Sequence, residues 1–134
     1  KALEQAEAKM AGMQSGQIMG KVEEIGGVPV LISRVDARDM DSFRSLSDTL
    51  KDKLGSGILV IGTVMEDKVS LIVTVSKELA GKRAHAGNLI KEIAKVCGGG
   101  GGGRPDMAQA GAKDPGKLDE ALAKAKEIIA QILA

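Results

Sequence analysis

Six consecutive glycines, Gly98 to Gly103, constrain this chain of 134 residues more than any other feature. Glycine has no Cβ and loses more conformational freedom on folding than any other residue, so it weakens helix and strand alike. One reading of the run is a flexible linker or a tight structural turn, the default for a glycine tract. Natural linkers, however, usually mix glycine with serine, and this run sits between two segments that read as packed. The other reading uses glycine's access to positive φ, which lets successive N–H groups point one way and the backbone approach a phosphate or sugar closely. Both readings stay open on physical grounds. The run matches G-x-G-x-x-G trivially, but it follows a helical pattern, whereas the dinucleotide fingerprint follows a strand. No G-K-[S/T] comes after it, and the helix end before it carries the wrong partial charge for phosphate. An ATP site here is not expected.

The flanking pattern gives an order of elements. Leu3, Ala6, Met10 and Met13 form an apolar stripe over residues 1–14, too short to be stable alone. It reads as the end of a truncated upstream helix or coiled coil, ahead of a globular domain over 15–134. Gln17 to Ile25 and Val28 to Val35 read as strands joined by Gly26-Gly27, a hairpin signal. Met40, Phe43, Leu46, Leu50 and Leu54 share one helical stripe, with Asp39 as N-cap and Gly55 as its stop. Ile58 to Met65 and Val69 to Val75 form a second strand pair, and Ile58-Leu59-Val60-Ile61 suggests a central strand covered on both faces. A helix is expected from Ala84 to Val96, then the glycine run and an extra strand near Met107 to Ala112. Asp114 and Pro115 start a last helix with the stripe Leu118, Ala121, Leu122, Ala125, Ile129 and Ile132. The expected fold is α/β, a mixed four- to five-stranded sheet packed by helices, with a glycine-rich loop after a helix.

Composition removes several function classes. Phe43 is the single aromatic residue, so base stacking on aromatic side chains is unavailable. Any nucleic-acid contact must use backbone amides, Lys and Arg, and shape. The net charge of +1 conceals an asymmetry. Residues 1–67 carry 8 basic and 11 acidic side chains, residues 68–134 carry 11 and 7. Within 77–104, Lys77, Lys82, Arg83, Lys91, Lys95 and Arg104 face only Glu78 and Glu92, a footprint suited to phosphate or simply a solvated face. The longest apolar runs are too short for a bilayer, no secretory signal opens the chain, and the lone Cys97 fits a reducing compartment. No membrane association and a cytoplasmic location are expected. The chain opens on Lys1, which suggests a piece of something longer.

Catalysis is not expected of this chain alone. A hydrolytic metal site needs three or more convergent ligands, and the sequence holds one His and one Cys. His85 opens the helix that Cys97 closes, about three turns away, which defeats a Cys–His dyad. His85 reads as a helix-start cap or a donor to phosphate, and Cys97 as a packed thiol. The acidic pairs fall at strand, cap, turn and helix-start positions, where acids are common for structural reasons.

A more specific signal lies in His85-Ala86-Gly87-Asn88-Leu89-Ile90-Lys91, the glycine run, Arg104-Pro105-Asp106-Met107-Ala108-Gln109-Ala110-Gly111, and Lys113-Asp114-Pro115. Together these resemble the C-terminal domain of alanyl-tRNA synthetases. Asp39-Met40-Asp41-Ser42 and Leu59-Val60-Ile61-Gly62 are similar as well, so the resemblance covers about residues 15–134. The fold is shared with the accessory domain of DHH-type phosphoesterases, where it binds nucleic acid. The resemblance implies a non-catalytic module that contacts the outer corner, or elbow, of tRNA and supports aminoacylation and editing by other domains. Those absent domains would use ATP, Mg and Zn, and no cofactor is expected here. Expected partners are tRNA, the other synthetase domains, and in some members a second copy through the upstream helix. Ala112 stands where the family commonly has a second glycine. The expected RNA-contacting set is Gly98, Gly99, Gly100, Gly101, Gly102, Gly103 and Arg104, with Lys82, Arg83, His85, Asn88 and Gln109. Oligomerisation or interdomain packing, and single-strand binding beside a DHH phosphoesterase, are the alternatives.

Overall fold

Gly26 and Gly27 take φ values of 59° and 80°, the paired positive values that a tight two-residue hairpin turn requires. They join β1 (Glu23–Ile25) to β2 (Val28–Arg34). The computed structural model describes residues 22–35, 37, 39–65, 68–81 and 84–133. The expected helix over 1–14, the start of the first strand at Gln17, and the candidate residues Lys82 and Arg83 lie outside the described residues. After β2 the chain crosses through α1 (Met40–Leu54) and returns as β3 (Ile58–Met65), parallel to β2. Asp39 caps α1 by accepting from Ser42 N–H at 2.8 Å, and Gly55 ends it at φ 73°.

β4 (Lys68–Val75) returns antiparallel to β3. Next come α2 (Ala86–Val96), β5 (Gly100–Gly103) and β6 (Met107–Ala112). A single 3-10 turn at Pro115–Lys117 leads into α3 (Leu118–Leu133). The sheet order is β1-β2-β3-β4-β6-β5. Its two faces bury different sets, as strand alternation demands. Leu31, Leu59, Ile61 and Ile72 pack beneath Phe43, Leu46 and Leu50 of α1. On the opposite face Val30, Ile58, Val60, Leu71 and Val73 meet α2 and α3 through Ile90, Ile93, Leu118 and Ile129. Gly62 permits the close approach of α3, since a Cβ there would lie 2.6 Å from Leu118 Cδ1.

The mixed α/β class stands, with corrections in detail. Among the described residues the sheet has six strands, not four or five. Most of the glycine run is not a loop. Gly98 alone in it takes positive φ, at 73°, and Gly100–Gly103 pair antiparallel with β6. Glycine makes this geometry possible. A Cβ built at Gly99, Gly101 or Gly103 would lie 2.1, 2.5 or 2.6 Å from an atom of β6, closer than van der Waals packing allows. α2 starts at Ala86 rather than Ala84, because Ala84 bridges to Ala80 and His85 becomes the cap. Ile132, expected in the buried stripe of α3, is 41% exposed, and Leu133 takes the inward position against Gly26.

Candidate nucleic-acid interface at the glycine edge

β5 is the last strand of the sheet, and its ladder fixes which groups face outward. Arg104 N–H donates to Met107 O at 2.8 Å, so antiparallel alternation makes Gly102/Gln109 and Gly100/Gly111 hydrogen-bonded pairs too. Val75 N–H donates to Asp106 O at 2.8 Å, which turns the alternate residues Ala108, Ala110 and Ala112 toward β4. The main-chain groups of Gly101 and Gly103 therefore point away from β6, and of these Gly103 O lies against Gly87 of α2. Four exposed glycines carry no side chain to shield that edge, although edge strands are usually guarded by charge, proline or bulges.

The steric needs of the run alternate. Gly98 needs glycine for its φ, and Gly99, Gly101 and Gly103 need it to clear β6. A Cβ at Gly100 would meet nothing within 4 Å, and one at Gly102 would meet only Lys91 Cε at 3.8 Å. The fold gives no steric reason for glycine at these two positions.

The start of α2 closes on this edge. A Cβ on Gly87 would lie 2.9 Å from Gly103 O, and Ala86 N–H donates to Pro105 O at 2.9 Å. His85 caps the helix: its Nδ1 accepts from Asn88 N–H at 3.2 Å. That bond leaves the proton of the neutral ring on Nε2, which can donate outward. His85, Gly103, Arg104 and Pro105 thus come together where α2 meets β5, whereas Asn88 lines a cleft with Glu92, Ile128 and Ile132 between α2 and α3. Arg104 is 76% exposed and 3.7 Å from Asp106 Oδ1, a weak surface pair. Gln109 is half-buried on β6 opposite Gly102. Cys97 lies at the far end of α2, with Sγ 3.6 Å from Lys117 O. Burial pushes its thiol up, and the charges of Asp114 and Glu120 add to the effect. It is a packed thiol.

Lys91 belongs beside these residues, although its spacing alone reads as part of a solvated helix face. Its Cε lies beside Gly102, which places a cation at the glycine edge. In the sequence it stands within the basic footprint of 77–104 and closes the motif that begins at His85.

Residues 27–131 match the DHHA1 domain family. The chain belongs to that family. This DHHA1 domain is of the C-Ala type. It is 34% identical to the C-Ala domain of Aquifex aeolicus alanyl-tRNA synthetase, with a TM-score of 0.72, covering 82% of this chain and 98% of that one. It is 51% identical over 126 residues to the alanine–tRNA ligase of Bacillus subtilis strain 168, covering 94% of this chain. The chain spans 14% of the length of that relative. A DHH-domain protein from a family of ribosomal proteins shares the fold alone, at 17% identity and a TM-score of 0.60, covering 92% of this chain and 31% of that one. No described helix is long and apolar enough to cross a membrane.

Proposed function

We propose that this DHHA1 domain binds the elbow of folded tRNA with its glycine edge and supports aminoacylation and editing carried out by other domains of an alanine–tRNA ligase. The observation that carries this reading is the convergence of an unshielded main-chain edge with Lys91, Arg104 and the His85 Nε2–H group. Main-chain amides and carbonyls address sugar hydroxyls and phosphate oxygens without reading sequence, as recognition of a folded RNA corner requires. The two cations add salt-dependent attraction. A domain with a single aromatic residue, Phe43, wholly buried under α1, has no stacking platform to offer a linear strand. ATP, Mg and Zn chemistry would belong to the parent ligase outside this domain.

Titration of the 134-residue chain with folded tRNA, beside a single-stranded RNA of equal length, tests the proposal. Tighter binding to tRNA, weakened by Arg104→Ala and Lys91→Ala with a shallower salt dependence, is expected. Equal affinity for the linear strand would favour a single-strand accessory role of the DHH phosphoesterase kind. Absence of binding at low salt would favour a packing module, for which Ile132 offers an exposed apolar contact.

A further inference from the structure

The helix α1 covers only part of its side of the sheet. Its apolar contacts extend from β2 across β3 to Ile72 on β4. Beyond Ile72 the same face continues through the partners of β4 on β6 and β5. Register and alternation place Lys68, Ser70, Gln109 and Gly111 on it, since Ile72 pairs with Gln109 and Ser70 with Gly111. The ladder ends at Val69 with Ala112, so Lys68 and Lys113 both flank its last pair. Lys68, Gly111 and Lys113 are exposed, and Ser70 and Gln109 are half-buried. Among the described residues none of the Lys68, Ser70, Gln109 and Lys113 side chains has an ion-pair or hydrogen-bond partner.

Two features of this surface ask for a polyanion. Lys68 and Lys113 set two exposed cations beside the last pair of this ladder, Val69 with Ala112, and neighbouring like charges repel. A phosphate between them would convert that repulsion into two charge-assisted contacts. Four residues along β6, about 13 Å away, Gln109 offers both an acceptor and a donor on one planar amide. That combination matches the edge of a nucleobase. It is flanked by Ile72 on one side and Gly102 on the other, and the next residue on its own face toward Lys113 is Gly111. A Cβ at Gly111 would meet only Val69 O at 3.8 Å, so the fold itself does not require glycine there.

We infer that this open half-face is a second RNA-contacting surface, on which Lys68 and Lys113 hold a phosphate and the Gln109 amide reads the edge of an unstacked base. It rests on the tRNA-binding reading above and adjoins the glycine edge through Gly102. RNA would thus wrap the end of the sheet, meeting both the edge of β5 and the face of β6.

The test measures tRNA affinity and its salt dependence for the intact 134-residue chain and four variants. Lys68→Ala with Lys113→Ala is expected to weaken binding about tenfold and lower the salt slope by about 2. Gln109→Leu is expected to weaken it about fivefold with the slope unchanged, because a base contact releases no counterion. Lys68→Glu separates binding from folding: it reverses one exposed charge of this surface, so the melting temperature should hold while tRNA binding falls. Arg104→Ala keeps the two surfaces distinguishable. If Arg104→Ala weakens binding while the Lys68, Lys113 and Gln109 variants retain wild-type affinity and slope, this surface is overturned and the glycine edge stands. If the wild-type chain binds no tRNA, the parent reading fails and this one with it. A change in sedimentation of the lysine variants with tRNA affinity intact would overturn it too, and assign the face to a second copy of the chain instead.

Discussion

β3 and β5 belong to one sheet and have opposite compositions. β3 is Ile-Leu-Val-Ile-Gly-Thr-Val-Met, central, with α1 on one face and α3 on the other, and Ile58 to Ile61 fully buried. β5 is four glycines at the end of the sheet, all exposed. Side chains hold β3 in place: each layer of the core needs their volume. β5 is held by the absence of side chains, because its backbone sits where a Cβ would enter β6. A strand can therefore be specified by removing atoms as well as by adding them. The strand so specified carries no side chains along its outer edge, and all four of its residues stay exposed beside α2.

Substitutions can break this contrast, and the largest effect is expected on the packed side. Phe43→Ala empties the space under α1, where Phe43 is fully buried, and should cost about 3–5 kcal/mol by urea denaturation. Within the glycine run the cost should alternate. Gly99→Ala and Gly101→Ala drive a Cβ against β6 and should each destabilise by about 1–3 kcal/mol. Gly100→Ala meets nothing and should be neutral, or stabilise by up to about 1 kcal/mol through the unfolded chain. A uniform response along the run would show that the glycines serve flexibility rather than close approach. Lys91→Ala with Arg104→Ala should reduce tRNA affinity roughly tenfold and leave the melting temperature unchanged, since both side chains are exposed.

Cys97 gives the smallest effect. Its folded thiol holds its proton to higher pH than an unfolded one. As pH rises past the ordinary thiol value of about 8.5, the unfolded chain ionises first and stability declines until the folded thiol also titrates. Below that value the group contributes no pH dependence. Alkylation at about pH 8 should be slow in the native chain and fast in urea.

Much of this architecture is legible in residue pattern. Gly26-Gly27 marks its hairpin because a tight hairpin turn needs positive φ, Asp39 marks its helix start, and the unbroken Ile58–Ile61 run marks a strand with two covered faces. β5 is illegible by the same logic, since glycine carries no strand preference and its reason lies in a neighbouring strand, where Gly111 stands opposite Gly100 and Met107 receives the Arg104 N–H. Ile132 and Leu133 are equally spaced for the stripe of α3. Gly26 decides between them by leaving room beside Leu133, a tertiary fact. Within the site, the packing of α2 on β5 sets Gly87 against Gly103 and Lys91 beside Gly102, and no local residue pattern announces either contact.

If the glycine edge is kept free of side chains for RNA, Gly100 and Gly102 are where that shows, because the fold gives no steric reason for glycine there. Gly100→Ala with Gly102→Ala should leave the urea midpoint within about 0.5 kcal/mol of wild type and weaken folded-tRNA binding about tenfold. Full tRNA affinity in a normally folded double variant would contradict the account.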